Sequence, residues 1–154
     1  MSLSGRSTIP MINVWWLVLL AHAAATLFMT GLIWFVQIVH YPLLGHVGRA
    51  ARTDYAKRHA HLTTFVVAPA MLVETLTAAA IVALHPPSVP FAAAAAGAAL
   101  LAVIWLSTGV VQVPLHGRVQ RDDEAAIRLL VSTNWVRTWA WSVRAILALV
   151  MLAR

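Results

Sequence analysis

The chain has no cysteine. That absence excludes disulfides, thiolate zinc sites and iron–sulfur clusters. Charge is also scarce. Only 10% of the residues are Asp, Glu, Lys or Arg, where a soluble domain carries about 25%. Acidic residues are the scarcest, 5 against 11 Lys and Arg. What fills the space is apolar: 61% of the 154 residues are hydrophobic. That length suits one domain, and lipid is the expected solvent for much of its surface.

A spanning helix needs about 20 mostly apolar residues. Four stretches satisfy this: 14–39, 64–84, 91–113 and 135–152. The expected fold class is therefore all-α, an integral membrane four-helix bundle in a single transmembrane domain, 1–154. Arg6 before an apolar run, with Ala21-His22-Ala23 inside it, resembles a leader peptide. The apolar run outlasts a leader's core, so it is expected to be a retained span.

The net charge of +6 raises nucleic acid as a partner. The basic residues gather at two places between spans, however. Arg49, Arg52, Lys57 and Arg58 follow the first span, and Arg118, Arg121 and Arg128 follow the third. The opposite side has Arg6, Arg154 and the turn His85-Pro86-Pro87-Ser88-Val89-Pro90. The bilayer is thus the expected partner and nucleic acid is not. The excess places both long connections in the cytoplasm and both termini outside. Within the connections, Thr53 or Asp54 is expected to cap a helix, with Asp54 above Arg58. Asp122 and Asp123 are expected to start a second short helix, with Glu124 above Arg128.

The halves of the chain rhyme. Val36-Gln37-Ile38-Val39-His40-Tyr41-Pro42-Leu43 closes the first span, and Val111-Gln112-Val113-Pro114-Leu115-His116 closes the third. Two helical hairpins related by an axis along the membrane normal would produce this pattern. Proline after a helix end produces part of it unaided.

An ionisable residue in mid-membrane is a functional-site hypothesis by default. His22, Glu74 and Arg144 hold such positions, and Glu74 and Arg144 are expected to pair. Polar residues also recur at helical spacing on every span. These stripes are His22, Thr26, Thr30, Gln37 and His40; His59, Thr63 and Glu74; Thr108, Gln112 and His116; and Asn134, Arg137 and Arg144. Lipid does not accept such faces, so they are expected to turn inward.

Four histidines crowd one level: His40, His59, His61 and His116. Imidazoles are the commonest metal ligands, and these four are the candidate ligands for a metal or haem. No H-E-x-x-H or E-x-x-H pattern is present. His59 and His61 sit two apart, so a regular helix lets only one face the core. Glu74 lies roughly 22 Å from His59 along a helix, too far to join them. Gln37, Gln112, Asn134 and Arg137 are the candidate catalytic residues, expected to orient a substrate. Trp34, Trp105 and Trp141 are expected to pack within the bundle.

The string Gln37…His40-Tyr41-Pro42-Leu43, the pair His59/His61, Pro69…Glu74 and Asn134-Trp135-Val136-Arg137-Thr138…Trp141…Arg144 resemble small four-span bacterial membrane proteins of unknown function. The Asn and Arg opening the last span also resemble the anthrone-oxygenase-like group. The first resemblance implies a multi-pass protein of the bacterial inner membrane. The second implies oxidation of small polycyclic aromatics, with no cofactor assignable here. The leading expectation is a membrane oxidoreductase, metal- or haem-dependent, acting on a lipophilic small molecule. The alternatives are a small proton-coupled transporter centred on His22, Glu74 and Arg144, and an accessory subunit of a membrane complex. A homo-oligomer is a further expectation, since a small bundle often needs a partner for a polar face.

Overall fold

The structure is a computed structural model that describes residues 14–154; Arg6 lies outside the described residues. Four continuous helices account for nearly all of them: α1 (Val14–Leu44), α2 (Arg49–Leu84), α3 (Phe91–Val119) and α4 (Glu124–Leu152). Among the described residues there is no strand. All four helices are long and apolar enough to cross a membrane, which makes the chain a multi-pass membrane protein by length and composition. The all-α four-helix bundle is as expected.

Three of the helices extend well past their apolar stretches. α2 begins at Arg49, α3 runs on to Val119 and α4 begins at Glu124, where the spans alone predicted 64, 113 and 135. Hydropathy marks only the part of a helix that meets lipid. The charged segments 49–63 and 124–134 contain no Gly or Pro, so nothing in them stops helix propagation. The 36 residues of α2 reach roughly 54 Å at 1.5 Å per residue. A hydrocarbon layer is about 30 Å thick, so the first turns of α2 stand outside it.

The caps differ from expectation accordingly. Gly48, not Thr53 or Asp54, is the N-cap of α2. Asp123 does cap α4, accepting from the N–H groups of Ala125 at 3.0 Å and Ala126 at 3.3 Å. Arg118 lies 2.8 Å away and holds the Asp123 carboxyl below the usual carboxylate range. The expected pairs within each connection, Asp54–Arg58 and Glu124–Arg128, do not form. Instead the two connections bind each other. Arg49 and Arg52 reach Asp122 at 3.0 and 3.2 Å, and Arg52 lies 3.9 Å from Glu124. This end of the bundle is the basic rim.

Helices α1 to α4 form a ring in which each runs antiparallel to its neighbours. α1 packs closely on α2 and α4, and α3 packs closely on α4. The thinnest seam is between α2 and α3. Three apolar clusters fill the axis. Leu44, Ala56, Val119 and Leu130 lie at the basic rim; Met29, Met71, Ile104 and Trp141 at the middle; and Leu19, Ile81, Ala94 and Met151 at the far end. Pro69 is accommodated within a continuous α2.

The rhyme between the halves has a structural counterpart. α1 widens into a π-turn at Val36–His40 and α3 does so at Ser107–Gln112. The N–H of Tyr41 donates to the carbonyl of Val36, and that of Val113 to the carbonyl of Thr108, five residues back in each case. A proline follows each widened turn, Pro42 and Pro114. Proline has no N–H and its ring presses on the carbonyl four residues earlier. A wider turn relieves that contact without breaking the helix, and such turns recur at functional sites. Gln37 and Gln112 sit inside the two π-turns, and both are buried.

Candidate functional site

The polar stripes turn inward, except that His40 lies beside the buried face of α1, and they form two levels along the axis. The deeper level is ionic and closed. Glu74 Oε1 lies 2.9 Å from Arg144 Nη2 and accepts from Arg144 Nε at 3.0 Å. Thr26 Oγ1 donates to the same oxygen at 2.8 Å, and Trp141 Nε1 donates to Oε2 at 3.1 Å. Arg144 Nη1 donates to the carbonyl of Gly97. Glu74, Thr26 and Trp141 have no exposed surface. His22 Nδ1 is 2.9 Å from Thr77 Oγ1, which donates to the carbonyls of Val73 and Glu74. Expected as a pair, Glu74 and Arg144 are one, and they touch all four helices. Both carboxylate oxygens are satisfied, as a structural ion pair in low dielectric requires.

The level nearer the basic rim is open. A cavity of about 540 Å³ runs along the α2–α3 seam, within the usual size for small-molecule sites. Its inner wall comes from α1 and α4, where Met29, Ile33, Tyr41 and Arg137 are buried. Its edges are Thr64 of α2 and Trp105 and Val113 of α3, all exposed. On α2 it extends from His59 to Met71, roughly 18 Å along the helix. The end toward mid-membrane is apolar, with Met29, Ile33, Met71 and Trp105. The end toward the rim is polar, with Tyr41, His59, Gln112, His116 and Arg137.

Side-chain hydrogen bonds fix that polar end. The Tyr41 hydroxyl and His116 Nε2 are 3.0 Å apart, joining α1 to α3 across the bundle. Gln37 donates to the carbonyl of Val131 at 3.1 Å and accepts from Asn134 Nδ2 at 2.9 Å. Asn134 Oδ1 accepts from Arg137 Nη1 at 3.3 Å. Gln112 donates to Thr133 Oγ1 at 3.0 Å. Thr133 in turn donates to the carbonyl of Leu129, so the amide of Gln112 has only one sensible orientation. Three buried atoms at this level have no hydrogen-bond partner, His40 Nε2, Gln112 Oε1 and Arg137 Nε, and one at the deeper level, Arg144 Nη2, meets Glu74 only as an ion pair. An unsatisfied buried polar group costs roughly 1–3 kcal/mol.

Of the four candidate ligands, three come together. The His40 and His59 rings stack at 4.0 Å with 26° between planes, and His59 is 5.9 Å from His116. His61 is exposed on the other side of α2, against Phe65, as its two-residue offset dictates. Among the described residues, no group of three His, Cys, Asp or Glu is placed to hold a metal ion. The stacking explains why. Ring nitrogens bind metals in the ring plane at about 2.0–2.1 Å, and the nearly parallel planes of His40 and His59 do not meet that close. Gln37, Asn134, Gln112 and Arg137 do gather at one level, but only Gln112 and Arg137 line the cavity. Gln37 and Asn134 stand behind Arg137 and position it.

Tyr41 is a site residue that the sequence reading passed over, and Thr26, expected only as part of the inward stripe, is a partner of Glu74. Tyr41 follows Gln37 by four positions, so it continues the buried stripe of α1. His40 attracted attention because it is ionisable, yet it lies beside that stripe and outside the cavity wall. Trp141, expected only to pack, also donates to Glu74.

Removing one partner of the deep pair leaves a buried charge alone. Glu74→Met or Arg144→Met should each cost about 3–5 kcal/mol in detergent unfolding titrations. The double variant should cost clearly less than the sum of the two, the sign of direct coupling. Additive losses would show that the two side chains do not stabilise each other.

Comparison with protein families, with curated proteins and with solved structures gave no match for this chain.

Proposed function

We propose that this protein takes a lipophilic small molecule sideways from the bilayer, through the α2–α3 seam, and acts on its polar end. The observation that carries this reading is the half-open cavity, apolar toward mid-membrane and polar at the basic rim. An amphiphile in a bilayer leaflet already has that orientation, so entry requires no inversion of the ligand. The unpartnered Nε of Arg137, a residue that lines the cavity, supports the same reading, since an acceptor oxygen on a bound molecule would satisfy it.

The chemistry available at that end is proton transfer. His116, held by Tyr41 at 3.0 Å, and His59 are the acid–base groups: burial, with neighbouring cationic groups second, pushes both imidazoles down to about 4, so at neutral pH they stand as neutral proton acceptors. Arg137 and Gln112 orient the substrate. The resemblance to the anthrone-oxygenase-like group favours a substrate with a flat aromatic body, which Met29, Met71 and Trp105 would flank; His59 and His116 supply its proton transfer, and its oxidation takes an external oxidant such as dioxygen. In this reading the basic rim faces the cytoplasm of a bacterial inner membrane, following the excess of Arg and Lys there.

Blocking the seam tests the binding reading. Native mass spectrometry of protein purified from its own membranes should show a lipophilic small molecule bound at one copy per chain. Ala68→Trp, which fills the cavity from α2, should remove it while the melting temperature stays within about 2 °C, the size expected for a surface change. Equal loading of both proteins, or none of either, would sink the proposal. Orientation is checked separately, and the absence of native cysteine makes single-cysteine labelling direct. An impermeant maleimide should reach Ser88→Cys in intact cells and Arg121→Cys only after lysis. The reverse pattern would invert the topology.

A further inference from the structure

Two buried arginines lie two turns apart on α4. Arg144 has a counter-ion, Glu74, at 2.9 Å. Arg137 has none. Its Nη1 donates to the neutral amide oxygen of Asn134, and its guanidinium lies 5.3 Å over the Trp141 ring. The neutral Tyr41 hydroxyl stands beside it. Its Nε is buried and unpartnered, and the residue is 7% exposed.

The chain has only 5 acidic residues, and each is accounted for. Glu74 serves Arg144; Asp122, Asp123 and Glu124 serve Arg49, Arg52 and Arg118 at the rim. Asp54 is exposed on α2 and forms no ion pair. A guanidinium held away from water with no counter-ion is several kcal/mol unfavourable. Arg137 also lines the cavity, and the network of Gln37, Asn134 and Thr138 behind it holds it there in advance. A planar guanidinium so placed is suited to an anionic oxygen group.

Building on the proposal that the cavity binds a lipophile, we infer that its ligand is a lipophilic anion, with one ionised oxygen group of the carboxylate or enolate class seated on Arg137. The apolar body then lies along Ile33, Val67 and Met71 toward mid-membrane. The ligand completes the charge balance that the protein leaves open. The same group stands against the Tyr41–His116 pair, where a proton can be delivered to it or taken from its neutral form.

The test compares one probe in two charge states. Dansyl-labelled undecanoic acid and its methyl ester are titrated into the wild-type protein in lipid nanodiscs, with empty nanodiscs as the partition reference. Energy transfer from tryptophan reports binding. The acid should bind roughly ten- to a hundredfold tighter than the ester, the scale of one charge-assisted hydrogen-bonding contact. Arg137→Gln should bring the acid down to the ester. Arg137→Lys should keep part of the preference. Equal binding of acid and ester by the wild type would overturn the anion assignment while leaving the cavity reading standing, and it needs no variant to fold. A preference that survives in Arg137→Gln would also overturn it, assigning the effect to the cations of the rim. Binding of neither probe would overturn both this inference and the reading beneath it.

Discussion

The bundle depends on one constraint: a polar side chain inside a membrane must find its partner within the protein. Glu74 meets that constraint for all four helices at once. Its carboxylate takes donors from Thr26 on α1 and from Trp141 and Arg144 on α4, and Arg144 passes on to the carbonyl of Gly97 on α3. α2 and α4 lie diagonally in the ring, so this contact crosses the axis. It fixes the rotation of every helix at that level. Once those rotations are set, each polar stripe except for His40 is directed inward, including the part nearer the rim. The site is thereby positioned by an ion pair that does not belong to it.

The two π-turns explain why the rim level differs from the level below. Each inserts extra backbone just before a proline and carries a buried glutamine. They lie on α1 and α3, diagonal to each other, and from there Tyr41 and His116 meet across the bundle. Below the turns the helices pack regularly around Trp141 and Ile104, which have no exposed surface. Beside them α2 and α3 stand apart far enough to leave a cavity. The closed level supplies stability through its ion pair, and the open level leaves Gln112 Oε1 and Arg137 Nε without partners beside a cavity. That division is typical of sites where local satisfaction gives way to function.

Much of this was legible in the residues. Four apolar runs without a polar interruption longer than a turn fixed the helix count and the class. The spacing of Thr26, Gln37, Asn134, Arg137 and Arg144 placed the buried faces correctly, because the constraint on polar groups is strict in lipid. The pairing of Glu74 with Arg144 followed from the lack of any other acid in the spans. What was not legible depended on geometry between helices. The helical segments 49–63 and 124–134 carry too much charge for a hydropathy reading, although nothing in them breaks a helix. His59 already shared a face with Glu74, but His61 stayed among the candidate ligands until the rotation of α2 was known. The stacking of His40 on His59, which spoils a metal site, is a matter of ring planes that spacing does not encode. The role of Tyr41 required the diagonal contact with His116.

The central claim is that the polar interior of this bundle opens to lipid through the α2–α3 seam, near the basic rim. Photolabelling in native membranes with a fatty acid carrying a diazirine in its chain tests that most directly, since the labelled peptides can be mapped by mass spectrometry. The account predicts dominant labelling of α2 between Ala60 and Met71 and of α3 between Trp105 and Gly117, with competition by excess unlabelled fatty acid. Labelling spread evenly over the lipid-facing surfaces, Leu72 and Leu76 of α2 and Ile146 of α4 included, without competition, would contradict it.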